Sequence, residues 1–124
     1  MSCNSSASRL SSHAPVILLS AEYSEFTDLN KLGAVTTKGV ANVPWSGNPT
    51  PRVAEVYGGM LNAVGLQNPG IELFCKRDIP FLKQYDTKII VNVCGHSTEE
   101  YVEVVKRLAD EPVDLLEIKG GIHA

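Results

Sequence analysis

A chain of 124 residues, 44% hydrophobic and 20% charged, is long enough for one domain with a real core and too short for two. Its net charge of −3 offers no basic face for nucleic acid or acidic lipid, and no apolar run approaches the roughly 18 residues that suggest a membrane span. Three cysteines, Cys3, Cys75 and Cys94, are odd in number and widely scattered, with no CxxC and no paired histidine spacing that would chelate a metal, which points to a reduced, cytoplasmic setting.

Residues 1–14 begin MSCNSSASRLSS, with one Arg and no acid, and read as a disordered serine-rich leader, a targeting peptide being the weaker alternative. Residues 15–19, Pro-Val-Ile-Leu-Leu, form a short apolar run with the pattern of a strand buried on both faces. Residues 21–32 read as a helix, with Tyr23, Phe26 and Leu29 at three-residue spacing and Gly33 as the stop. Residues 34–37 are a second strand that delivers Lys38 and Gly39 just past its carboxyl end.

Residues 47–70, GNPTPRVAEVYGGMLNAVGLQNPG, organise the chain. Their glycines and prolines break every helical or alternating register and predict an ordered irregular loop, neither helix nor strand, pinned to the core by Met60, Leu61, Val64 and Leu66. Ordered loops of this length are uncommon unless they carry function. Asn62 and Asn68 offer amides with donors and acceptors, and Gly58, Gly59 and Gly65 allow close backbone approach, which suits a flat polar small molecule.

Residues 71–85 hold Ile71, Phe74, Ile79, Phe81 and Leu82 as candidates for burial, with Pro80 expected to break any single helix. Residues 88–93, Lys-Ile-Ile-Val-Asn-Val, are the clearest strand. Ser97 with Glu100 three residues on is a capping-box pattern, and Tyr101, Val104, Val105 and Leu108 form one apolar helical stripe that Pro112 ends. Residues 113–118 read as a further strand. The alternation of strand and helix predicts an α/β fold with a parallel sheet, either open or part of a barrel.

In such folds residues just past the strands' carboxyl ends line the ligand site, which singles out Ser20, Lys38 and Asn92. Lys38 is a fixed cation suited to an anionic ring oxygen, although position alone favours a solvated lysine. Asn92, inside the run IIVNV, needs hydrogen-bond partners, which a ligand or the sheet itself can supply. Cys94 has no base placed beside it by sequence and reads as a small buried cysteine; His96 can equally face solvent. Asp28, Glu55, Asp86 and Asp114 show no metal-ligand pattern and take surface or turn roles.

Taken together, the phrases GNPTPRVAE, GGMLNAVGLQNPG, TKG after the second strand, IIVNVCGHSTEEYVEV and AEYSEFTDLNKLGA resemble dihydroorotate dehydrogenase, the FMN enzyme of pyrimidine synthesis. They look most like the NAD-linked type that works with an FAD and iron–sulfur electron-transfer subunit. The resemblance implies that residues 15–124 are roughly the first half of a TIM (β/α)8 barrel. It implies FMN contacts at Ser20, Lys38, Gly39 and Asn92, and dihydroorotate or orotate held by Lys38, Asn62, Ala63, Val64, Gly65 and Leu66. No metal is implied.

The chain departs from the family pattern in two places. It passes directly from ILLS to AEYSEF, without the family's glycine-rich phrase near the flavin. After Ile118 it runs into KGGIHA, without the serine-cysteine-proline-asparagine phrase whose cysteine removes the C5 proton. No catalytic residue is therefore assigned, His123 does not match the missing base, and the 124 residues are expected to give no turnover alone. The alternative from another class is a non-catalytic α/β assembly fragment that self-associates or pairs with another half-barrel; a related barrel acting on another pyrimidine is a third reading.

Overall fold

A computed structural model describes residues 17–18 and 20–118. The leader, the closing KGGIHA and the side chain of Ser20 lie outside the described residues. Strands β1 (Ile17–Leu18), β2 (Ala34–Thr37), β5 (Lys88–Val93) and β6 (Leu115–Ile118) form one parallel sheet in the order β1-β2-β5-β6.

The expected strands at residues 34–37 and 88–93 form as written, whereas β6 starts two residues later than the apolar run suggests. Asp114 explains the delay. Its carboxylate accepts from the Lys88 ammonium at 2.8 Å and from the Ile89 N–H at 2.9 Å, so it closes the turn into β6 rather than joining the strand. The both-face burial expected of residues 15–19 lies outside the described side chains, and the other strands differ among themselves: β2 is buried at Val35, Thr36 and Thr37 in succession. Along β5, Ile89, Val91 and Val93 are fully buried while Ile90 and Asn92 on the other face are half-buried, and every residue of β6 is exposed.

The buried face packs against helical segments. Residues 21–32 are not one helix: α1 (Ser20–Ser24) stops, and a separate 3-10 turn covers Leu29–Lys31. Asp28 is the cause, since its carboxylate accepts from the Asn30 backbone N–H at 3.1 Å and the Asn30 amide at 2.8 Å, capping a new turn in competition with helix continuation. Of Tyr23, Phe26 and Leu29, only Leu29 is buried.

Residues 71–82 stay helical through Pro80, contrary to the expected break. α2 (Ile71–Leu73) passes into a π-helical stretch, Phe74–Asp78, and then into α3 (Ile79–Leu82). In the π register the Ile79 N–H reaches back to the Phe74 carbonyl, and Pro80 sits at the opening of the following turn, where its missing N–H costs little. Ile71, Phe74, Ile79 and Leu82 are buried as expected, and Phe81 is half-buried.

α4 (Thr98–Leu108) follows Ser97, whose hydroxyl accepts from the Glu100 N–H at 3.3 Å. The returning Glu100 carboxylate bonds the N–H of His96 at 2.7 Å, one residue beyond the usual capping box. Val104 and Leu108 bury, Tyr101 packs on the same core, and the helix ends at Leu108, before Pro112.

The largest correction is in residues 47–70. Val53–Val56 (β3) and Gly59–Asn62 (β4) pair as an antiparallel hairpin through Tyr57 and Gly58, with Gly58 at φ +73°. All residues of both strands are exposed, including Met60 and Leu61, which do not pin the segment to the core.

Candidate functional site

The carboxyl ends of β2 and β5 come together through a register change. Thr36 pairs with Ile90, but Val40 pairs with Val93, so residues 37–39 lie opposite residues 91–92. One extra residue on the β2 side makes a bulge, which bends the strand and re-aims its side chains. Lys38 and Gly39 occupy that bulge. The Thr37 hydroxyl closes it, donating to the Lys38 carbonyl at 3.0 Å and accepting from the Asn92 N–H at 3.3 Å. Val40 then re-enters the sheet, its N–H on the Asn92 carbonyl at 2.8 Å and its carbonyl on the Cys94 N–H at 3.0 Å.

Asn92 finds its side-chain partner across the sheet. Its amide donates to the Glu117 carboxylate at 3.0 Å, from the β6 residue directly opposite. The carbonyl oxygen of the same side chain lies beside Gly39, where an added Cβ would sit 3.4 Å from it and 3.1 Å from the Cys94 sulfur. A glycine at 39 therefore lets the backbone of the bulge close onto Cys94 and Asn92. Lys38 is half-buried, and no ion pair involves it among the described residues. Cys94 is fully buried at the strand end. Burial pushes the thiol of Cys75, in the helical core, up to about 11, which leaves it inert at neutral pH.

The loop after β4 is held by hydrogen bonds rather than by apolar burial. The Ala63 N–H donates to the Arg52 carbonyl at 2.9 Å, the Asn48 N–H to the Val64 carbonyl at 3.0 Å, and the Asn48 amide to the Ala63 carbonyl at 2.9 Å. Arg52 adds a bond from its guanidinium to Gln67 at 2.9 Å. Gly65 takes φ +79°, and a Cβ there would meet the Asn48 backbone nitrogen at 2.8 Å. Leu66 is the one non-glycine residue with positive φ among those described, at 55°, a conformation that costs about 1–2 kcal/mol and persists only where its surroundings hold it. Beside this loop Trp45 stacks on His96 with ring centroids 4.2 Å apart, and the two rings with Asn48, Gly65 and Leu66 line an open cleft of about 510 Å³.

The structure thus brings Lys38, Gly39 and Asn92 together and holds Gly65 and Leu66 at the Trp45–His96 cleft. Asn62 is exposed at the end of β4, in a recess of about 250 Å³ with Arg52, Val53 and Leu61, and no hydrogen bond among the described residues joins it to Lys38 or Asn92. Ala63 is exposed and Val64 half-buried beside it. Sequence reasoning overlooked Glu117 and the aromatic stack. Glu117 had a signal only in register, since it faces Asn92 once β5 and β6 pair; Trp45 and His96 had none. No group of three or more His, Cys, Asp or Glu is placed to hold a metal among the described residues, and no helix there is long and apolar enough to cross a membrane.

Comparison with known proteins identifies what these residues belong to. Residues 14–119 match the family described as dihydroorotate dehydrogenase. The chain is 72% identical over 97 residues to the dihydroorotate dehydrogenase B (NAD(+)) catalytic subunit of Lachnoclostridium phytofermentans, covering 78% of this chain and 32% of that protein. The identically named subunit of Alkaliphilus metalliredigens is 67% identical over 97 residues, with the same coverage. That of a Geobacillus strain is 51% identical over 110 residues, covering 82% of this chain and 35% of the relative. The chain spans about a third of the length of these curated relatives. It belongs to the dihydroorotate dehydrogenase family.

Proposed function

We propose that these residues are the part of an NAD-linked dihydroorotate dehydrogenase that grips one edge of FMN and one side of the pyrimidine, in the oxidation of dihydroorotate to orotate for UMP synthesis. The described sheet and helices are part of the family's TIM barrel, whose ligands bind at the carboxyl face of the strands. The observation that supports the reading is the bulge at that face, where the backbone of Lys38 and Gly39 lies opposite Asn92 and the Asn92 side-chain oxygen lies beside Gly39.

These groups fit one edge of an isoalloxazine. The Lys38 ammonium suits a ring oxygen that gains negative charge on reduction. The Asn92 carbonyl oxygen, its amide turned toward Glu117, suits a ring N–H. Gly39 supplies room where a Cβ would crowd Cys94 and Asn92. When bound, FMN supplies the acceptor for the substrate hydride. The chain's own residues orient: Lys38 offsets the negative charge of flavin and orotate, and Asn62, Ala63, Val64, Gly65 and Leu66 present amides and backbone groups to the planar pyrimidine. Ser20 is assigned to FMN by the resemblance alone.

Proton removal from C5 is not assigned to any residue here, since the phrase that carries the family's base has no counterpart after Ile118 and Cys94 is buried just past the end of β5. The 124 residues alone are therefore proposed to bind without turning over. The complete enzyme would act in the cytoplasm with an FAD and iron–sulfur electron-transfer subunit, in keeping with the relatives' naming as a catalytic subunit of an NAD(+) enzyme.

The test is a flavin titration of the purified chain, followed by absorbance and flavin fluorescence. FMN should bind, and Lys38→Ala should weaken binding by about tenfold or more. Equal affinity of the variant, or no binding by the parent, would overturn the cofactor reading. Bleaching of bound flavin by dihydroorotate would overturn the proposed inactivity.

A second reading, an assembly fragment, is favoured by one observation: β6 is an edge strand with Leu115, Leu116 and Ile118 exposed, and such edges invite pairing. Light scattering separates it, because a well-behaved folded monomer would remove it.

A further inference from the structure

We infer that Asn68 is a positioning residue for pyrimidine recognition, its carboxamide holding the loop of residues 62–66 to the Lys38 end of β2. The inference rests on the reading of that loop given above. Asn68 is one of the few buried polar residues, only 6% exposed. Its side-chain amide donates to the Leu66 carbonyl at 2.7 Å, and its side-chain oxygen accepts from the Ala41 N–H at 3.2 Å and the Gly70 N–H at 3.0 Å. Its main chain exchanges both bonds with Trp45, at 3.0 and 3.1 Å.

One residue thus ties three stretches of chain. The route to the strand ends is short: Val40 is bonded to Asn92, the next residue Ala41 donates to the Asn68 oxygen, and the Asn68 amide reaches Leu66. Leu66 is the residue with φ 55°, so the bond to its carbonyl falls where the backbone most needs holding. Gly70 completes the clamp. It adopts φ +78°, and a Cβ there would come 2.7 Å from the Pro44 nitrogen, so the backbone of Val43 and Pro44, leading into Trp45, lies directly against it.

The chemistry selects a carboxamide of this length. Aspartate keeps both accepted bonds but has no N–H for Leu66, leucine has neither function, and glutamine adds a methylene in a buried space. With both lone pairs of its oxygen engaged, one amide N–H on Leu66 and the residue only 6% exposed, Asn68 acts on a ligand through the loop rather than by direct contact.

The discriminating variant is Asn68→Asp in the 124-residue chain, read by amide hydrogen exchange and by titration with orotate and with FMN. Trp45, the single tryptophan, reports orotate binding by fluorescence. Exchange at residues 62–66 should accelerate by about tenfold while β5 amides keep the parental rates. Orotate binding should weaken by about tenfold with FMN binding within about twofold of the parent. Unchanged exchange at residues 62–66 would overturn the inference, as would equal acceleration throughout β5, which marks general loss of stability. Orotate failing to bind the unsubstituted chain would instead overturn the ligand reading of the loop, a result distinct from the exchange outcome. Should Asn68→Asp not fold, the parent still decides: the Ala41 and Gly70 amides should be protected like those of β5, and fast exchange there would overturn the clamp.

Discussion

The parallel sheet and the hairpin arm hold their shape by different means. In the sheet, β5 lies between β2 and β6, and Ile89, Val91 and Val93 are shut away beneath Phe74, Leu82, Val104 and Leu108. In the arm, every residue of β3 and β4 is exposed, and Tyr57 at the turn stands clear of the protein. The base of the arm is fixed nonetheless, through side-chain bonds from Asn48, Arg52 and Asn68 to loop backbone and side chain. A rigid core thus carries the Lys38 bulge, while a polar lattice carries the loop beside it. A lattice of directed bonds specifies backbone shape without filling the space that a ligand needs.

The sharpest way to break this contrast is to remove apolar bulk from each region. Ile89→Ala should cost about 2–5 kcal/mol of stability in urea unfolding, and Met60→Ala should stay within about 0.5 kcal/mol. A large cost at Met60 would mean that the arm is covered in solution, most directly by a second copy.

Two glycines sharpen the contrast within the arm itself. Gly70→Ala combines a left-handed backbone with overlap on Pro44 and Val43, and should cost about 3 kcal/mol or more. Gly58→Ala at the tip has the same sign of φ but nothing within 4 Å of the added Cβ, and should cost about 1–2 kcal/mol. Equal costs, measured by urea midpoint, would show that the base of the arm is no more constrained than its tip.

The smallest effect belongs to the sheet's amino end. Burial acts to raise the pKa of Asp114, but the Lys88 ammonium and the Ile89 N–H outweigh it and hold the carboxyl below its ordinary 3.8. The folded pKa therefore lies below the unfolded one, so the stabilisation is present above the unfolded value and is lost as the pH falls through the folded value. Asp114→Asn should cost about 0.5–1 kcal/mol near neutrality and flatten the loss of stability on acidification below about pH 4. An unchanged acid limb of the urea midpoint would remove this pair from the account.

Much was legible locally. Apolar continuity marked β2 and β5, and the Ser97 cap with the stripe through Val104 and Leu108 marked α4, because those signals depend on residues a few positions apart. Spacing within residues 21–32 misled, since it registers apolar period but not the competing cap that Asp28 makes with Asn30. Pro80 misled likewise, because helical continuation there needed a π register set by the packing of Phe74 and Ile79.

What the amino-acid order determined by itself was therefore the class of fold, the identity of the strand-end residues and the family phrases that run through them. Only the tertiary structure decided that Lys38 and Gly39 share a bulge opposite Asn92, that Asn92 turns its amide to Glu117, and that Asn68 is committed to its own backbone rather than offered to a ligand. The reason is one of range. Period and capping act within a helical turn or two, whereas the strand register and the bonds from Asn92 to Glu117 and from Ala41 to Asn68 join residues 25 or more positions apart, and their partners exist only once the chain has folded.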